Sequence, residues 1–124
     1  MTARTILVVD DFDAMRRFVC RAIEQSGYRA LSAANAAEAQ EILNSTPIDL
    51  LVTDVDMPVV TGVELAAGLV IDRANLPVIF MSGRLASRDL RLAGRPTAFL
   101  QKPFTISRLW EEIDRILPGR RVSG

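Results

Sequence analysis

The feature that most constrains this chain is a regular alternation of short apolar runs with longer segments of helical periodicity. The apolar runs are five to seven residues long, and each is followed by a polar or acidic residue or a turn signal. The first run, "TILVVD", is rich in β-branched residues without polar alternation, which is typical of a strand buried on both faces. Strands are therefore expected at 5–10, 28–33, 49–54, 76–82 and 97–101.

Apolar side chains between these strands recur at helical spacing, beginning with Phe12 and Met15. Gly27 is expected to end the first helix as the C′ residue. Asn35 is expected to cap the second helix, with Glu38 three residues later as in a capping box. The last helix is the most strongly amphipathic, and the fourth is short and polar. The helices are expected at 12–26, 35–43, 61–74, 85–93 and 105–117.

Strands that alternate with helices favour parallel pairing, because each crossover helix returns the chain to the same end of the sheet. The right-handed crossovers then cover both faces with helices and bring all strand carboxyl ends to one edge. We expect an α/β flavodoxin-like, doubly wound (βα)5 three-layer sandwich with strand order 2-1-3-4-5. All 124 residues are expected to form one domain, with 118–124 as a carboxyl-terminal tail.

Composition excludes several classes of protein. The formal net charge is +0, so no overall field attracts nucleic acid or an anionic membrane, and no apolar stretch is long enough to span a bilayer. The chain contains no histidine, which excludes histidine-based acid–base catalysis and a role as the histidine-bearing partner in phosphotransfer. Cys20 is the only cysteine, and a lone thiol fits a reducing, cytoplasmic location.

Polar residues follow four of the five predicted strands, where the fold would place them at one edge of the sheet. Three of the strand ends carry acids or a hydroxyl, and the fourth carries the only lysine in the chain. The residues are Asp10, Asp11, Asp54, Asp56, Ser82 and Lys102. Ligands bind at this edge in open α/β sheets, so we expect these side chains to form a site.

Carboxylates packed this closely raise one another's pKa unless a cation neutralises them. Oxygen ligands select a hard ion, and Mg²⁺ is the expected one. A carboxylate beside Mg²⁺ can act as the nucleophile in phosphoryl transfer, while the ion and Lys102 neutralise the phosphoryl oxygens. A hydroxyl on the neighbouring strand, such as that of Ser82, can then hydrogen-bond the product.

Four ordered motifs resemble the receiver (response regulator) domain of two-component signalling over nearly the whole chain. The motifs are "LVVDD" at 7–11, "DVDMPVVTG" at 54–62, "FMSGR" at 80–84 and "FLQKPF" at 99–104. The stretch "VVDDFDAMRRF" is most similar to stand-alone chemotaxis-type regulators. The resemblance implies a phosphoacceptor that assists its own phosphorylation and autodephosphorylation, rather than an enzyme that acts on a separate substrate.

Carried over by position, the resemblance makes Asp54 the phosphoacceptor, in contact with Mg²⁺. It makes Asp11 a direct metal ligand, Asp10 a ligand through water, and Asp56 a ligand through its backbone carbonyl. Lys102 would pair with the phosphoryl group and precede a cis peptide bond.

The resemblance also implies a switch, in which Ser82 moves to hydrogen-bond the phosphoryl group and the rotamer of Phe99 follows. Phe99 lacks the hydroxyl of the commoner tyrosine, so the alternative is that its ring is simply part of the core.

Asp56 and Arg84 occupy the two positions that flank the route of attacking water in the family. Our hypothesis is that they pair across the site, hinder water and lengthen the lifetime of the phosphoryl group. The alternative is a solvated pair worth less than about 1 kcal/mol.

The implied partners are a sensor histidine kinase or histidine phosphotransfer protein as donor and a downstream protein as target. A phosphorylation-dependent dimer is a further possibility, and no direct contact with nucleic acid or membrane is expected. Three alternatives are a receiver fold that binds proteins without being phosphorylated, an Asp-x-Asp phosphatase of the haloacid dehalogenase type, and a flavin-binding domain. The last two fit poorly, because no Asp–Asp pair follows Lys102 and because Asp10 and Asp11 would repel a flavin phosphate.

Overall fold

The computed structural model describes residues 4–55, 76–83 and 97–117. These residues contain five strands and three helices, labelled here in chain order. The strands are β1 (Thr5–Val9), β2 (Arg29–Ala33), β3 (Leu50–Asp54), β4 (Val78–Ser82) and β5 (Thr97–Gln101). The helices are α1 (Asp13–Gln25), α2 (Ala36–Ser45) and α3 (Ile106–Ile116). The predicted helices at 61–74 and 85–93 and the predicted tail at 118–124 lie outside the described residues.

The strands form one parallel sheet in the order β2-β1-β3-β4-β5, which confirms the predicted topology. The strands β1, β3 and β4 are buried along their whole length, as expected for apolar runs without alternation. The strand β2 lies at the edge and is partly exposed, which explains its weaker apolar pattern.

Two hydrophobic clusters lie on opposite faces of the sheet. On one face, Val19 and Ile23 of α1 and Leu109 and Ile113 of α3 pack against the strands. On the other face, α2 contributes the buried residue Leu43. The predicted arrangement of a central sheet with helices on both faces is therefore confirmed. No helix within the described ranges has the length and apolar character needed to cross a bilayer.

The ends of the helices follow the expected chemistry closely. Gly27 has φ of +97°, and its amide donates to the Glu24 carbonyl, so it follows α1 as predicted. The Asn35 side chain accepts from the Glu38 amide at 2.9 Å, whereas the Glu38 carboxylate accepts from the amide of Ala34 instead of that of Asn35. The second helix is therefore capped as predicted, by a variant of the capping box.

The interface between α1 and α3 contains the only tryptophan in the chain. The indole N–H of Trp110 donates to the Ala22 carbonyl at 2.8 Å, and Trp110 itself is half-buried. This bond joins residues 88 positions apart and fixes the first and last described helices to each other.

Candidate functional site

The carboxyl edge of the sheet brings together most of the site residues expected from the sequence. Asp54 is the last residue of β3, and Asp10 follows β1 directly. Ser82 is the last residue of β4, and its carbonyl accepts from the amide of Lys102 at 2.7 Å. The Lys102–Pro103 peptide bond is cis, as expected. Parallel pairing therefore places the ends of four strands around one site.

Lys102 bridges two acids from different strands. Its Nζ lies 3.1 Å from Asp10 Oδ2 and 3.3 Å from Asp54 Oδ1. Burial alone would lower the pKa of Lys102, but the hydrogen bonds and charges of Asp10 and Asp54 outweigh it and raise the pKa above its ordinary value. The ammonium group is therefore a permanent positive charge at the site near neutral pH.

Asp10 is fully buried, and both of its carboxylate oxygens accept hydrogen bonds. Oδ1 accepts from the Phe12 amide at 2.9 Å, and Oδ2 accepts from Lys102. A buried carboxylate is costly without such partners. The side chain is thus fixed by the turn that follows β1 on one side and by the residue that follows β5 on the other.

Three carboxylates meet at this edge. Asp10, Asp11 and Asp54 each offer one oxygen, and these oxygens lie within 4.8 Å of one another. Asp10 and Asp54 are buried, whereas Asp11 is exposed. The single ammonium of Lys102 offsets one of the three carboxylate charges, so these four side chains together are negatively charged when the acids are ionised. Both this residual charge and the oxygen donor set fit a divalent hard cation such as Mg²⁺.

Phe99 lies away from the acids, on the face of the sheet that packs against α2. It is half-buried, and its ring centroid lies 5.8 Å from that of Phe80, its register partner on β4. Because side chains alternate along a strand, Ser82 lies on the same face as Phe80 and Phe99. Asp56 and Arg84, the two residues predicted to tune the lifetime, lie outside the described ranges.

One residue near the acids was not identified from the sequence. Arg16 Nη1 donates to the backbone carbonyl of Asp10 at 2.9 Å, and its Nη2 contacts the Asp13 carboxylate. The spacing of three between Asp13 and Arg16 on a predicted helix is a sequence signal for the ion pair. The contact with the Asp10 carbonyl depends on the path of the turn, which spacing alone does not reveal.

Comparisons with known proteins find similar chains in one family. The response regulator receiver domain family matches residues 6–114. The response regulator receiver protein CpdR of Brucella abortus is 35% identical over 116 residues, which span 92% of this chain and 97% of CpdR. The chemotaxis protein CheY of Pseudomonas aeruginosa is 34% identical over 125 residues, which span 96% of this chain and 98% of CheY. The resemblance to stand-alone chemotaxis-type regulators is therefore confirmed.

A solved structure is similar in fold as well. The response regulator TrrA of Thermotoga maritima, in complex with Mg²⁺ and BeF, superposes with a TM-score of 0.83 at 27% identity. The match covers 92% of this chain and 99% of the TrrA chain.

Proposed function

The chain belongs to the response regulator receiver domain family, and from this premise we propose that Asp54 accepts a phosphoryl group in a Mg²⁺-dependent reaction. The observation that carries the proposal is the Lys102 ammonium, shared between Asp10 and Asp54 within a cluster of three carboxylates. A buried acid beside a fixed cation, at the edge where such sheets bind ligands, is suited to attack phosphorus.

In the proposed step, an Asp54 carboxylate oxygen forms a bond to phosphorus while the bond from phosphorus to the donor's histidine nitrogen breaks. Lys102 stabilises the negative phosphoryl oxygens through its charge. Mg²⁺, held by Asp54, by Asp11 directly, by Asp10 through water and by the Asp56 carbonyl, would supply further charge neutralisation when bound. The water-mediated role of Asp10 is supported by its two hydrogen bonds, which already occupy part of its capacity to accept.

The proposal includes a switch that runs from Ser82 to Phe99. The register aligns Phe80 with Phe99 and Ser82 with Gln101 on neighbouring strands. Ser82 and Phe80 of β4 and Phe99 of β5 thus lie on the same face of the sheet. Movement of Ser82 toward a phosphoryl group on Asp54 would change the packing around Phe99, and with it a protein-binding surface.

The donor in this proposal is a sensor histidine kinase or histidine phosphotransfer protein in the cytoplasm, and the output is contact with a downstream protein or a second phosphorylated copy. The whole chain, 1–124, would act as one receiver domain that transfers and releases its own phosphoryl group. Asp56 and Arg84 would set the lifetime of that group by hindering water.

The test is incubation with acetyl phosphate or beryllofluoride in the presence and absence of Mg²⁺. Only when Mg²⁺ is present is the wild type expected to gain one phosphoryl group from acetyl phosphate, as measured by mass spectrometry, and to bind beryllofluoride. Asp54→Asn is expected to abolish both. Asp49→Asn is the matched control. Asp49 lies directly before β3, at the end of the strand opposite to Asp54, and its carboxylate accepts a hydrogen bond from the Thr5 amide at 2.8 Å. A wild type that takes up neither reagent would instead support the unphosphorylated protein-binding module.

A further inference from the structure

The turn between β1 and α1 is held from one side by a single guanidinium group. Arg16 Nη1 donates to the Asp10 carbonyl at 2.9 Å, and Nη2 contacts the carboxylate of Asp13 in the first turn of α1. The Arg16 side chain is 18% exposed, whereas that of Asp13 is 71% exposed. Arginine suits this position because its planar fork can reach both acceptors at once.

These bonds bear directly on Asp11, the exposed acid of the cluster. A peptide group is planar, so each fixed peptide group constrains the residue that it adjoins. The peptide between Asp10 and Asp11 is held through its carbonyl by Arg16. The peptide between Asp11 and Phe12 is held through its amide by the Asp10 carboxylate. Asp11 therefore has an exposed side chain on a backbone that is fixed from both sides.

We propose that Arg16 is a positioning residue that fixes the direction of Asp11 and so strengthens the binding of a divalent cation. The inference rests on the proposed function, which makes Asp11 a metal ligand. It goes beyond that function by assigning a role to a residue that does not touch the metal. Groups that hydrogen-bond a metal ligand directly commonly contribute about 10–100-fold to metal affinity. Arg16 acts through the backbone next to Asp11, so we expect an effect at the lower end of that range.

Electrostatics alone predicts the opposite effect. Arg16 is a cation that contacts the backbone of Asp10, so it repels a second cation bound at the acids, and its removal would strengthen Mg²⁺ binding if charge were its only contribution. The positioning role predicts weaker binding on removal. The direction of the change therefore separates the two explanations.

The experiment is a titration of the ¹⁵N-labelled full chain with Mg²⁺, followed by the amide signals of Asp11 and Asp54 in NMR spectra. Arg16→Ala is expected to bind Mg²⁺ about 10-fold more weakly than the wild type. Arg16→Lys is expected to bind more weakly too, although its charge is unchanged, because one ammonium does not replace the planar fork. Arg17→Ala is the matched control, since Arg17 is exposed at the next position of α1 and loses the same charge.

A second measurement does not involve metal. Hydrogen exchange at the Phe12 amide in the metal-free protein is expected to be faster in Arg16→Ala than in the wild type, because the turn loses one of its two constraints. The control Arg17→Ala is expected to exchange at the wild-type rate.

Unchanged or tighter Mg²⁺ binding in a folded Arg16→Ala protein would overturn the positioning role, even if Phe12 exchanged faster. If Arg16→Ala does not fold, Arg16→Lys decides, and wild-type affinity in that variant overturns the proposal. Failure of the wild type to bind Mg²⁺ would overturn the proposed function together with this inference. If the wild type binds Mg²⁺ and Arg16→Ala binds it equally well, only the positioning role of Arg16 is overturned.

Discussion

Two regions of this molecule bury carboxylates, and they balance the charge in opposite ways. At the carboxyl edge of the sheet, the three acids Asp10, Asp11 and Asp54 lie together, and one ammonium group contacts Asp10 and Asp54. On α3, the single buried acid Glu112 contacts the guanidinium groups of both Arg108 and Arg115.

The balance of charge around a buried acid distinguishes a binding site from a structural ion pair. On α3, Glu112 contacts two guanidinium groups, so this carboxylate needs no further cation. At the edge, by contrast, the three carboxylates of Asp10, Asp11 and Asp54 lie together and Lys102 contacts two of them, so this cluster gains from a divalent ion. Burial of an acid is common to both regions, and they differ in whether several carboxylates share one described cation or one carboxylate contacts two cations.

The largest expected effect comes from removing the ammonium group that contacts Asp10 and Asp54. Lys102→Met is expected to reduce the rate of phosphorylation by acetyl phosphate about 100-fold or more, the usual result of losing one group that stabilises transition-state charge. Mg²⁺ binding is expected to be retained and strengthened, since the variant loses one positive charge that contacts Asp10 and Asp54. The rate is followed by mass spectrometry and the affinity by calorimetry.

Lys102→Arg serves as the control for charge at the same position. It is expected to keep part of the activity, because a guanidinium can pair with Asp10 and Asp54 but in a different geometry. If Lys102→Met were phosphorylated at the wild-type rate, Lys102 would be a structural ion-pair partner, as the arginines of α3 are, and the distinction between the two regions would be wrong.

Removing the buried acid of α3 is expected to change stability without changing phosphorylation. Glu112→Gln is expected to lower the free energy of unfolding by about 1 kcal/mol, a modest loss because Arg108 and Arg115 are largely exposed and can return to water. The measurement is the midpoint of denaturant unfolding, with the phosphorylation rate measured in parallel.

Glu111→Gln is the matched control on the same helix. Glu111 is 70% exposed and lies 3.7 Å from Arg108, so its replacement is expected to leave the midpoint almost unchanged. If Glu112→Gln slowed phosphorylation as strongly as Lys102→Met, the α3 network would belong to the functional site.

The smallest expected effect is the dependence of stability on pH at α3. Burial alone would raise the pKa of Glu112, but hydrogen bonds and charges from Arg115 and Arg108 lower it below its ordinary value. The folded state therefore binds this proton less readily than the unfolded chain, whose glutamate pKa is about 4.3. The stabilisation is present above that pH and is lost as pH falls through the lower pKa of the folded state.

The loss is expected to be less than about 1 kcal/mol, because solvent screens the exposed arginines. Unfolding of the wild type and of Glu112→Gln should be compared between pH 6 and the most acidic value at which both fold. The range below about pH 4.3 is decisive. The difference between the two proteins should narrow in acid. A constant difference would mean that Glu112 acts through packing rather than charge.

The sequence was sufficient for the order of the strands and for the gathering of the acids with Lys102. The gathering of the acids follows from parallel topology, because residues that end the strands must meet at one edge. The order of the strands is what the resemblance of the motifs to receiver domains implies. The cap at Asn35 and the glycine at 27 were also predictable, since each depends on local backbone chemistry.

Features that depend on the path of a turn or on packing between helices were not predictable. Phe12 fits the apolar spacing of α1, yet it precedes the helix and is 64% exposed. Glu112 is polar and falls between Leu109 and Ile113, but its burial depends on how α3 lies against the sheet. Arg16 reaches a backbone carbonyl, and no side-chain pattern marks such an acceptor.

The bond from Trp110 to the Ala22 carbonyl has a practical consequence for spectroscopy. Because the only tryptophan is anchored to a helix that lies 88 residues earlier in the chain, its fluorescence responds to the separation of α1 from α3 rather than to fraying of α3 alone. A single optical signal therefore reports whether the two ends of the described chain are still assembled, without any added label.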